Sequence, residues 1–146
     1  MDFLTELLKD ARALITGGSE GIGLGIASAL KAKGSRVAIM GRSEDKLNRA
    51  AKEIGVLALQ GDVSREADVK RVVAEFIKAF GGIDILVNNA GVGYFAPLTE
   101  LDTKEFEKLF ATNVTGAMLM AREVAPHFIA QRGGHLLNIS STSGLS

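Results

Sequence analysis

The chain contains no cysteine, no tryptophan, one tyrosine and two prolines among its 146 residues. Without cysteine it has no disulfide, no thiolate metal ligand and no thiol nucleophile, and it is compatible with a reducing compartment. The chain also has no excess of positive or negative charge, since 17 basic residues balance 17 acidic ones. A chain with no positive excess has no electrostatic attraction for nucleic acid or an anionic membrane, so neither is expected as a partner.

Long apolar runs are missing as well. No uncharged segment approaches the roughly 18 apolar residues of a membrane span. The opening MDFLTELLKD lacks the basic flank and apolar core of a signal peptide. The two histidines, His127 and His135, have no neighbouring ligand pattern, so no metal site is predicted. These absences lead us to expect a soluble, cytoplasmic protein.

Short apolar runs alternate along the chain with segments of helical periodicity. The runs ARALIT, RVAIM, VLAL, IDILVN and HLLNIS are almost continuously apolar, which is typical of parallel strands covered on both faces. The pattern predicts a doubly wound, Rossmann-like α/β sheet in three αβα layers, with strand order 3-2-1-4-5. We assign residues 11–146 to this single domain and residues 1–10 to a loose or helical lead-in.

Serines and glycines mark the expected helix ends. Ser43 and Ser64 are predicted to cap the helices that follow them, and glycines are expected to end three helices, at Gly34, Gly55 and Gly81. A long helical stretch is predicted over residues 102–132, kinked or divided near Asn113 and Pro126.

The segment TGGSEGIG, Thr16 to Gly23, lies between the first strand and the first long helix. Its glycines are spaced G-x-x-x-G-x-G, and no Gly-Lys-Ser/Thr follows, so it is not a P-loop. Glycine permits a sharp turn and the close approach of a phosphate to the backbone, and the helix start attracts an anion. The alternative is a tight turn without a ligand.

Five motifs follow one another in an order that resembles the short-chain dehydrogenase/reductase family: TGGSEGIG, GDVS, NNAG, the asparagine of ATNVTG, and NISSTSG. The resemblance extends over residues 11–146. It implies an oxidoreductase that moves a hydride between a nicotinamide cofactor and a small carbonyl or alcohol substrate, and that forms a homo-oligomer. The cofactor-binding positions it implies, Arg42 apart, are Gly17, Ser19, Glu20, Gly21, Ile22, Gly23, Asp62, Val63, Asn89, Ala90 and Gly91.

Cofactor choice depends on the end of the second strand. An acid there binds the ribose hydroxyls of NAD, whereas an arginine binds the 2′-phosphate of NADP. Gly41 supplies no acid and Arg42 supplies the cation, so NADP(H) is preferred and NAD(H) is possible. Glu20 departs from the basic residue that NADP-using relatives often carry. Arg42 as a solvated surface charge, and Asp62 as the start of a turn before Ser64, remain alternatives.

The resemblance assigns Ser141 to the serine that binds the substrate carbonyl, with Ser140 as the near alternative. It assigns Asn113 to a water in the proton relay; the alternative is a polar residue on a helix face. Relatives continue with a Tyr-x-x-x-Lys pair that supplies the proton, and neither residue follows Ser141 here. Tyr94, the only tyrosine, is interpreted as a loop or substrate-cleft residue.

We therefore expect a fragment or truncated form of a complete reductase that is inactive alone. A deliberately minimal cofactor-binding half, and a chain completed by another copy, are the alternatives. A non-catalytic NAD(P)-binding module or regulatory protein is the second hypothesis for its function. The run HLLNIS is expected to form an exposed apolar sheet edge. With an uncovered stripe that includes Leu109, Phe110, Val114 and Met118, it predicts a dimer or a protein prone to association.

Overall fold

The computed structural model describes residues 2–141. Its five strands are β1 (Arg12–Thr16), β2 (Arg36–Gly41), β3 (Leu57–Gln60), β4 (Ile85–Asn88) and β5 (His135–Asn138). All neighbouring strands are parallel, and the sheet order is β3-β2-β1-β4-β5. The predicted fold class and strand order are confirmed.

Helices connect the strands. They are α1 (Phe3–Leu8), α2 (Gly21–Ala32), α3 (Glu44–Ile54), α4 (Glu66–Phe80), α5 (Thr103–Phe110) and α6 (Gly116–Gln131). A 3-10 turn (Leu98–Glu100) precedes α5, and a π-helical turn (Ala111–Thr115) joins α5 to α6. The lead-in is helical, and the Asp2 carboxylate caps α1 by accepting a hydrogen bond from the Thr5 N–H.

Successive residues of the central strands enter two different cores, one on each face of the sheet. In β1, Leu14 packs on the side of α4 and α6, while Ala13 and Ile15 pack on the side of α2 and α3. All three are fully buried. Because both faces of the central strands are covered, successive residues in the middle of these strands are apolar, which explains the continuous hydrophobic runs.

The three predicted glycines lie where α2, α3 and α4 end. Gly55 and Gly81 have φ of +74° and +80° and cap α3 and α4, and Gly34 follows α2 with φ of +89°. A side chain with a Cβ is strained at such angles, so glycine is the favoured residue. Ser43 occupies the N-cap position of α3, but its hydroxyl makes no capping hydrogen bond.

The prediction that Ser64 caps α4 is wrong. The N-cap residue is Arg65, which makes no side-chain capping bond. Ser64 instead donates from its N–H and its hydroxyl to Oδ1 of Asp62, at 2.9 and 2.7 Å. The carboxylate two residues earlier competes for the serine, since short polar side chains readily form such local turns.

The long helical stretch is divided at Asn113, one of the two predicted places. There the backbone forms the π-helical turn, while Pro126 lies within α6. π turns are rare and are mostly single widened turns inserted into longer helices. The widened turn places Asn113 beside the loop that follows β4, where its side chain finds its partners.

Candidate functional site

A cavity of about 570 Å³ opens at the carboxyl ends of the central strands. This is the edge at which ligands bind in doubly wound sheets, because the strand order reverses between β1 and β4. Its volume lies within the range of small-molecule sites. The cavity is lined by Gly17, Ser19, Glu20, Met40, Gly41, Arg42, Ser43, Lys46, Gly61, Val63, Asn89, Ala90, Gly91, Val92 and Thr112.

The glycine loop forms one wall of the cavity. Gly17 and Gly21 have positive φ, +62° and +56°. A Cβ at Gly21 would meet no atom within 4 Å, so this face of the loop is open. Glu20 occupies the N-cap position of α2 without a side-chain capping bond. The first N–H groups of α2 therefore lack a side-chain acceptor, which favours an anion at this helix start.

A buried hydroxyl holds the end of β4 against the end of β1. Oγ1 of Thr16 accepts hydrogen bonds from the N–H groups of Asn89 and Ala90, both at 3.0 Å. Nδ2 of Asn89 donates to the carbonyl of Gly17 at 3.0 Å. The glycine loop and the NNAG segment are thus one connected unit, and both line the cavity.

Asn88 braces β4 against its other neighbours. Its Nδ2 donates to the carbonyl of Ala117 in α6 and to Oδ1 of Asn138 in β5, both at 3.1 Å. Its Oδ1 is buried and has no hydrogen-bond partner among residues 2–141. The first asparagine of NNAG therefore serves the scaffold, whereas the second serves the cavity wall.

Charged and polar side chains from the β2–α3 connection form the rim of the cavity. Arg42 is exposed, and its carbonyl accepts a hydrogen bond from Nε2 of Gln60. No carboxylate of the described residues forms an ion pair with Arg42, whereas Lys46 pairs with Glu20 at 3.9 Å. The rim thus offers one unpaired cation, Arg42, to a ligand.

The DV pair divides between the cavity and a turn. Val63 is buried, lines the cavity and packs against Gly116 at the start of α6. The Asp62 carboxylate accepts a hydrogen bond from the Ser64 N–H. The backbone N–H of Asp62 donates to Oδ2 of Asp68 at 2.9 Å. Asp62 is not among the lining residues, so the turn interpretation describes its observed contacts.

Asn113 uses its whole amide on one backbone unit. Its Oδ1 accepts from the N–H of Val92 at 2.8 Å, and its Nδ2 donates to the carbonyl of Val92 at 2.9 Å. This pair of bonds ties the loop after β4 to the π-helical turn. Asn113 itself does not line the cavity, but Val92 does, so the amide positions the cavity wall.

The remaining predicted residues lie outside the cavity lining. Ile22 is 65% exposed, while Gly23 is buried under the glycine loop. Ser140 and Ser141 follow β5 and are exposed, and the following residues lie beyond the described part of the chain. The hydroxyl of Tyr94 accepts a hydrogen bond from the Asp102 N–H at 3.1 Å, which ties the loop to the start of α5.

Seven lining residues were not predicted: Met40, Gly41, Ser43, Lys46, Gly61, Val92 and Thr112. Lys46 could have been predicted from the sequence, because it lies four residues after Arg42, in the first turn of a helix whose start faces the cavity. Val92 and Thr112 had none, since they reach the cavity only through the contact between the π-helical turn and the loop after β4.

An ion pair with three hydrogen bonds lies at the opposite, amino end of the strands. The Asp84 carboxylate accepts hydrogen bonds from the N–H, Nε and Nη2 of Arg12, at 2.8, 2.9 and 3.1 Å. These hydrogen bonds, aided by the charge of Arg12, hold the pKa of Asp84 below its ordinary value, although partial burial acts in the other direction. The pair joins β1 to β4 and does not take part in the cavity.

Two other kinds of feature are not found in residues 2–141. No helix there has the length and apolar character to span a bilayer. No three potential ligands among its His, Asp and Glu side chains come together in a way that could hold a metal ion.

A parallel sheet with this order, a glycine loop before the first crossover helix and a cavity at the carboxyl edge define a dinucleotide-binding α/β protein. Residues 11–146 match the short chain dehydrogenase family, and the chain belongs to that family. The family binds nicotinamide cofactors and acts on small-molecule alcohols or carbonyl compounds.

Individual relatives agree with this assignment. The chain is 42% identical over 140 residues to a sorbitol dehydrogenase of Cereibacter sphaeroides, covering 94% of this chain and 55% of the relative. It is 42% identical over 124 residues to a glucose 1-dehydrogenase of Gluconobacter oxydans, covering 81% and 47%. The chain therefore spans about half the length of these relatives.

Solved structures show the same fold. A 3-ketoacyl-(acyl-carrier-protein) reductase from Brucella melitensis, complexed with NADH, superposes with a TM-score of 0.89 at 38% identity, covering 93% of this chain and 59% of that one. A short chain dehydrogenase from Bacillus anthracis gives 0.88 at 30% identity, covering 92% and 58%.

Proposed function

We propose that this chain binds NADP(H) in preference to NAD(H), as the cofactor-binding part of an oxidoreductase acting on a carbonyl or alcohol substrate. The observation that carries the preference is the cation at the end of β2. Arg42 lines the cavity and is unpaired among the described residues, while Gly41, where an acid would select NAD, has no side chain. A guanidinium without a carboxylate partner is suited to a phosphate.

The site fits a dinucleotide on its own features. The open face of Gly21 lets a diphosphate approach the backbone at the start of α2. Ala90 and Gly91 offer a wall of small residues, held in place through Thr16. The nicotinamide, when bound, supplies or accepts the hydride; this chain's residues bind it and orient it.

NAD(H) is the alternative cofactor. The similar Brucella melitensis reductase was crystallised with NADH, and Glu20 adds a negative charge to the rim of the present cavity. That charge lowers the preference for a second phosphate. The selectivity for NADP(H) therefore depends on the balance of the charged side chains on this rim.

For the substrate end we assign two roles. Ser141 polarises and orients the substrate carbonyl, since a hydroxyl can donate a hydrogen bond to the oxygen that gains charge on hydride addition. Asn113 holds the loop wall through Val92. We also propose that the π-helical turn at Asn113 binds a water molecule of the proton relay.

By itself this 146-residue chain reduces carbonyl compounds slowly or not at all. A serine hydroxyl is a poor proton source without an activating partner, and no Tyr-x-x-x-Lys follows Ser141 in the sequence. Tyr94 is unsuitable as the proton donor, because its hydroxyl already accepts a hydrogen bond from the backbone N–H of Asp102 at the start of α5. Ketone reduction at enzymatic rates by the purified chain would overturn this part of the proposal.

The second candidate is a non-catalytic NAD(P)-binding module or regulatory protein. Both candidates bind cofactor without turnover. They separate when a segment that supplies the tyrosine and lysine in the register of a related reductase is appended. A catalytic origin predicts the gain of carbonyl reduction, whereas a repurposed module would bind cofactor equally well and remain inactive.

The proposal is tested by following nucleotide fluorescence during titration with NADPH and NADH. Wild type should bind NADPH more tightly, and Arg42→Ala should weaken NADPH about tenfold while leaving NADH unchanged. Arg49→Ala is the matched control, since Arg49 is exposed on α3, the helix that follows Arg42, and does not line the cavity. Equal loss for both nucleotides would contradict a role for Arg42 in phosphate selection.

A further inference from the structure

An ion pair crosses the rim of the cavity beside Arg42. Oε2 of Glu20, in the glycine loop, lies 3.9 Å from Nζ of Lys46, in the first turn of α3. Both residues line the cavity. Of the two cations on this rim, Lys46 has a carboxylate partner and Arg42 has none within the described residues.

Three cavity-lining residues lie close together in the chain, between the end of β2 and the first turn of α3. These are Arg42, Ser43 and Lys46, which carry a guanidinium, a hydroxyl and an ammonium group. Ser43 occupies the N-cap position, yet its hydroxyl makes no capping hydrogen bond to the backbone of α3. A cation, a hydroxyl and a second cation converging on one cavity suit a phosphate with more than one negative charge.

The Glu20–Lys46 pair is suited to exchange. The side chains are 76% and 64% exposed, and ion pairs between exposed groups in water are weak and easily replaced. Lysine binds phosphate as a compact point charge on a flexible stem. A phosphate placed beside Arg42 therefore competes directly with the Glu20 carboxylate for the Lys46 ammonium.

We propose that Glu20 and Lys46 form an exchangeable ion pair that sets the selectivity of the site for a 2′-phosphorylated adenosine. Lys46 is a second cation for the 2′-phosphate, after Arg42. Glu20 is the counter-charge that occupies Lys46 when the ligand has no 2′-phosphate, so it reduces the preference and keeps the site open to NAD(H). This inference rests on the proposed cofactor site and names the residues that tune it.

The test uses adenosine 2′,5′-bisphosphate and adenosine 5′-monophosphate, which share the adenosine and the 5′-phosphate and differ only in the 2′-phosphate. Isothermal titration of the purified chain gives the ratio of the two dissociation constants. The ratio cancels effects on the shared groups, including any change of charge at the start of α2. Lys46→Gln should reduce selectivity for the bisphosphate about fivefold to tenfold, and Glu20→Gln should raise it about threefold or more.

A double-mutant cycle separates the pair from two independent charges. If Glu20 acts by occupying Lys46, Glu20→Gln should leave the ratio unchanged in the Lys46→Gln background. An equal gain in both backgrounds would show that Glu20 repels the phosphate directly and would overturn the exchange. Loss of affinity for both nucleotides alike in Lys46→Gln would place Lys46 on the shared 5′-phosphate and would also overturn it.

Lys52→Gln and Glu53→Gln are matched controls, since both residues are exposed on α3 and neither lines the cavity. Each variant is compared with wild type by circular dichroism and thermal melting. The results also distinguish an error in the ion-pair proposal from an error in the proposed cofactor site. If Arg42→Ala lowers the ratio but Lys46→Gln does not, only the ion-pair proposal falls; if wild type binds neither nucleotide, both fall.

Discussion

At Gly23, hydrogen is the only side chain that fits. A Cβ there would press into the carbonyl of Gly17 and the amide of Asn89, which are rigid parts of the cavity wall. Two positions further along the same helix, a Cβ at Gly25 would meet nothing within 4 Å. The two glycines therefore have different reasons for being glycine.

We expect Gly23→Ala to destabilise the protein by about 2–3 kcal/mol, because α2 must move away from the loop. Gly25→Ala, the matched control, should be neutral or stabilise it by up to about 1 kcal/mol, because alanine favours a helix interior. Urea unfolding measures both changes. A Gly23→Ala protein as stable as wild type would contradict the observed packing of α2 on the loop.

Thr16 gives a second prediction at the residue scale. The side chain is 1% exposed, and its hydroxyl accepts both the Asn89 and Ala90 N–H groups. Thr16→Val keeps the shape and leaves those donors without their acceptor, so it should cost about 2–4 kcal/mol and weaken nucleotide binding. Thr16→Ser keeps the hydroxyl and should cost less. Equal losses in urea unfolding for the two variants would assign the effect to packing.

At the scale of elements, the Arg12–Asp84 pair joins β1 to β4 at the edge of the sheet away from the cavity. Since the pKa of Asp84 is lowered in the folded state, the folded protein holds this proton less tightly than the unfolded chain. The stabilisation is therefore present above the ordinary aspartate pKa of about 3.9 and is lost as the pH falls through the folded value.

We predict that Asp84→Asn is less stable than wild type near pH 7 and that the difference narrows steadily below about pH 4. Comparing the two proteins removes the titration of the other carboxylates. Unfolding free energies measured from pH 7 down to pH 3 check this. A difference that is constant over the range would mean that the Arg12 bonds depend on shape and not on the charge of Asp84.

The π-helical turn is the element that sequence periodicity described least well. An asparagine inside a helical stretch indicated a disturbance, and the disturbance is present at Asn113. Its cause is tertiary, because both atoms of the amide bind Val92, 21 residues earlier in the chain. Periodicity alone contains no information about that partner.

On the scale of the whole molecule, apolar surface remains uncovered in the described residues. Phe106, Phe110, Val114 and Met118 form a stripe, each 47–49% exposed, whereas Leu109, which was expected in this stripe, is only partly exposed. At the sheet edge, Leu136 and Leu137 of β5 are each 46% exposed. Stripes and unpaired edges of this kind favour association, as does the homo-oligomer that the family resemblance implies.

We predict that the purified chain self-associates, with a mass by light scattering above that of one chain and rising with concentration. Phe110→Glu should shift this mass towards the monomer, because it places a charge in the stripe. Lys52→Glu, on α3 and on the opposite face of the sheet, is the control and should change nothing. A monodisperse monomer at high concentration would contradict the prediction.

The strand order, the parallel sheet and the place of the glycine loop could all be predicted from the sequence. These depend on local signals, namely the buried runs, the glycines at helix ends and a loop between a strand and a helix. The rim of the site could be predicted only in part. Arg42 follows its strand directly in the sequence, whereas Lys46 approaches Glu20 only when α3 packs beside α2.

Which side chains share the cavity and which brace it depends on tertiary contacts that the sequence pattern does not record. The amide of Asn113 faces Val92, and the amide of Asn88 faces β5 and α6. The physical reason is range. Periodicity and capping record each residue's neighbours along the chain, while these partners are chosen by strands and helices that meet after long separations in sequence.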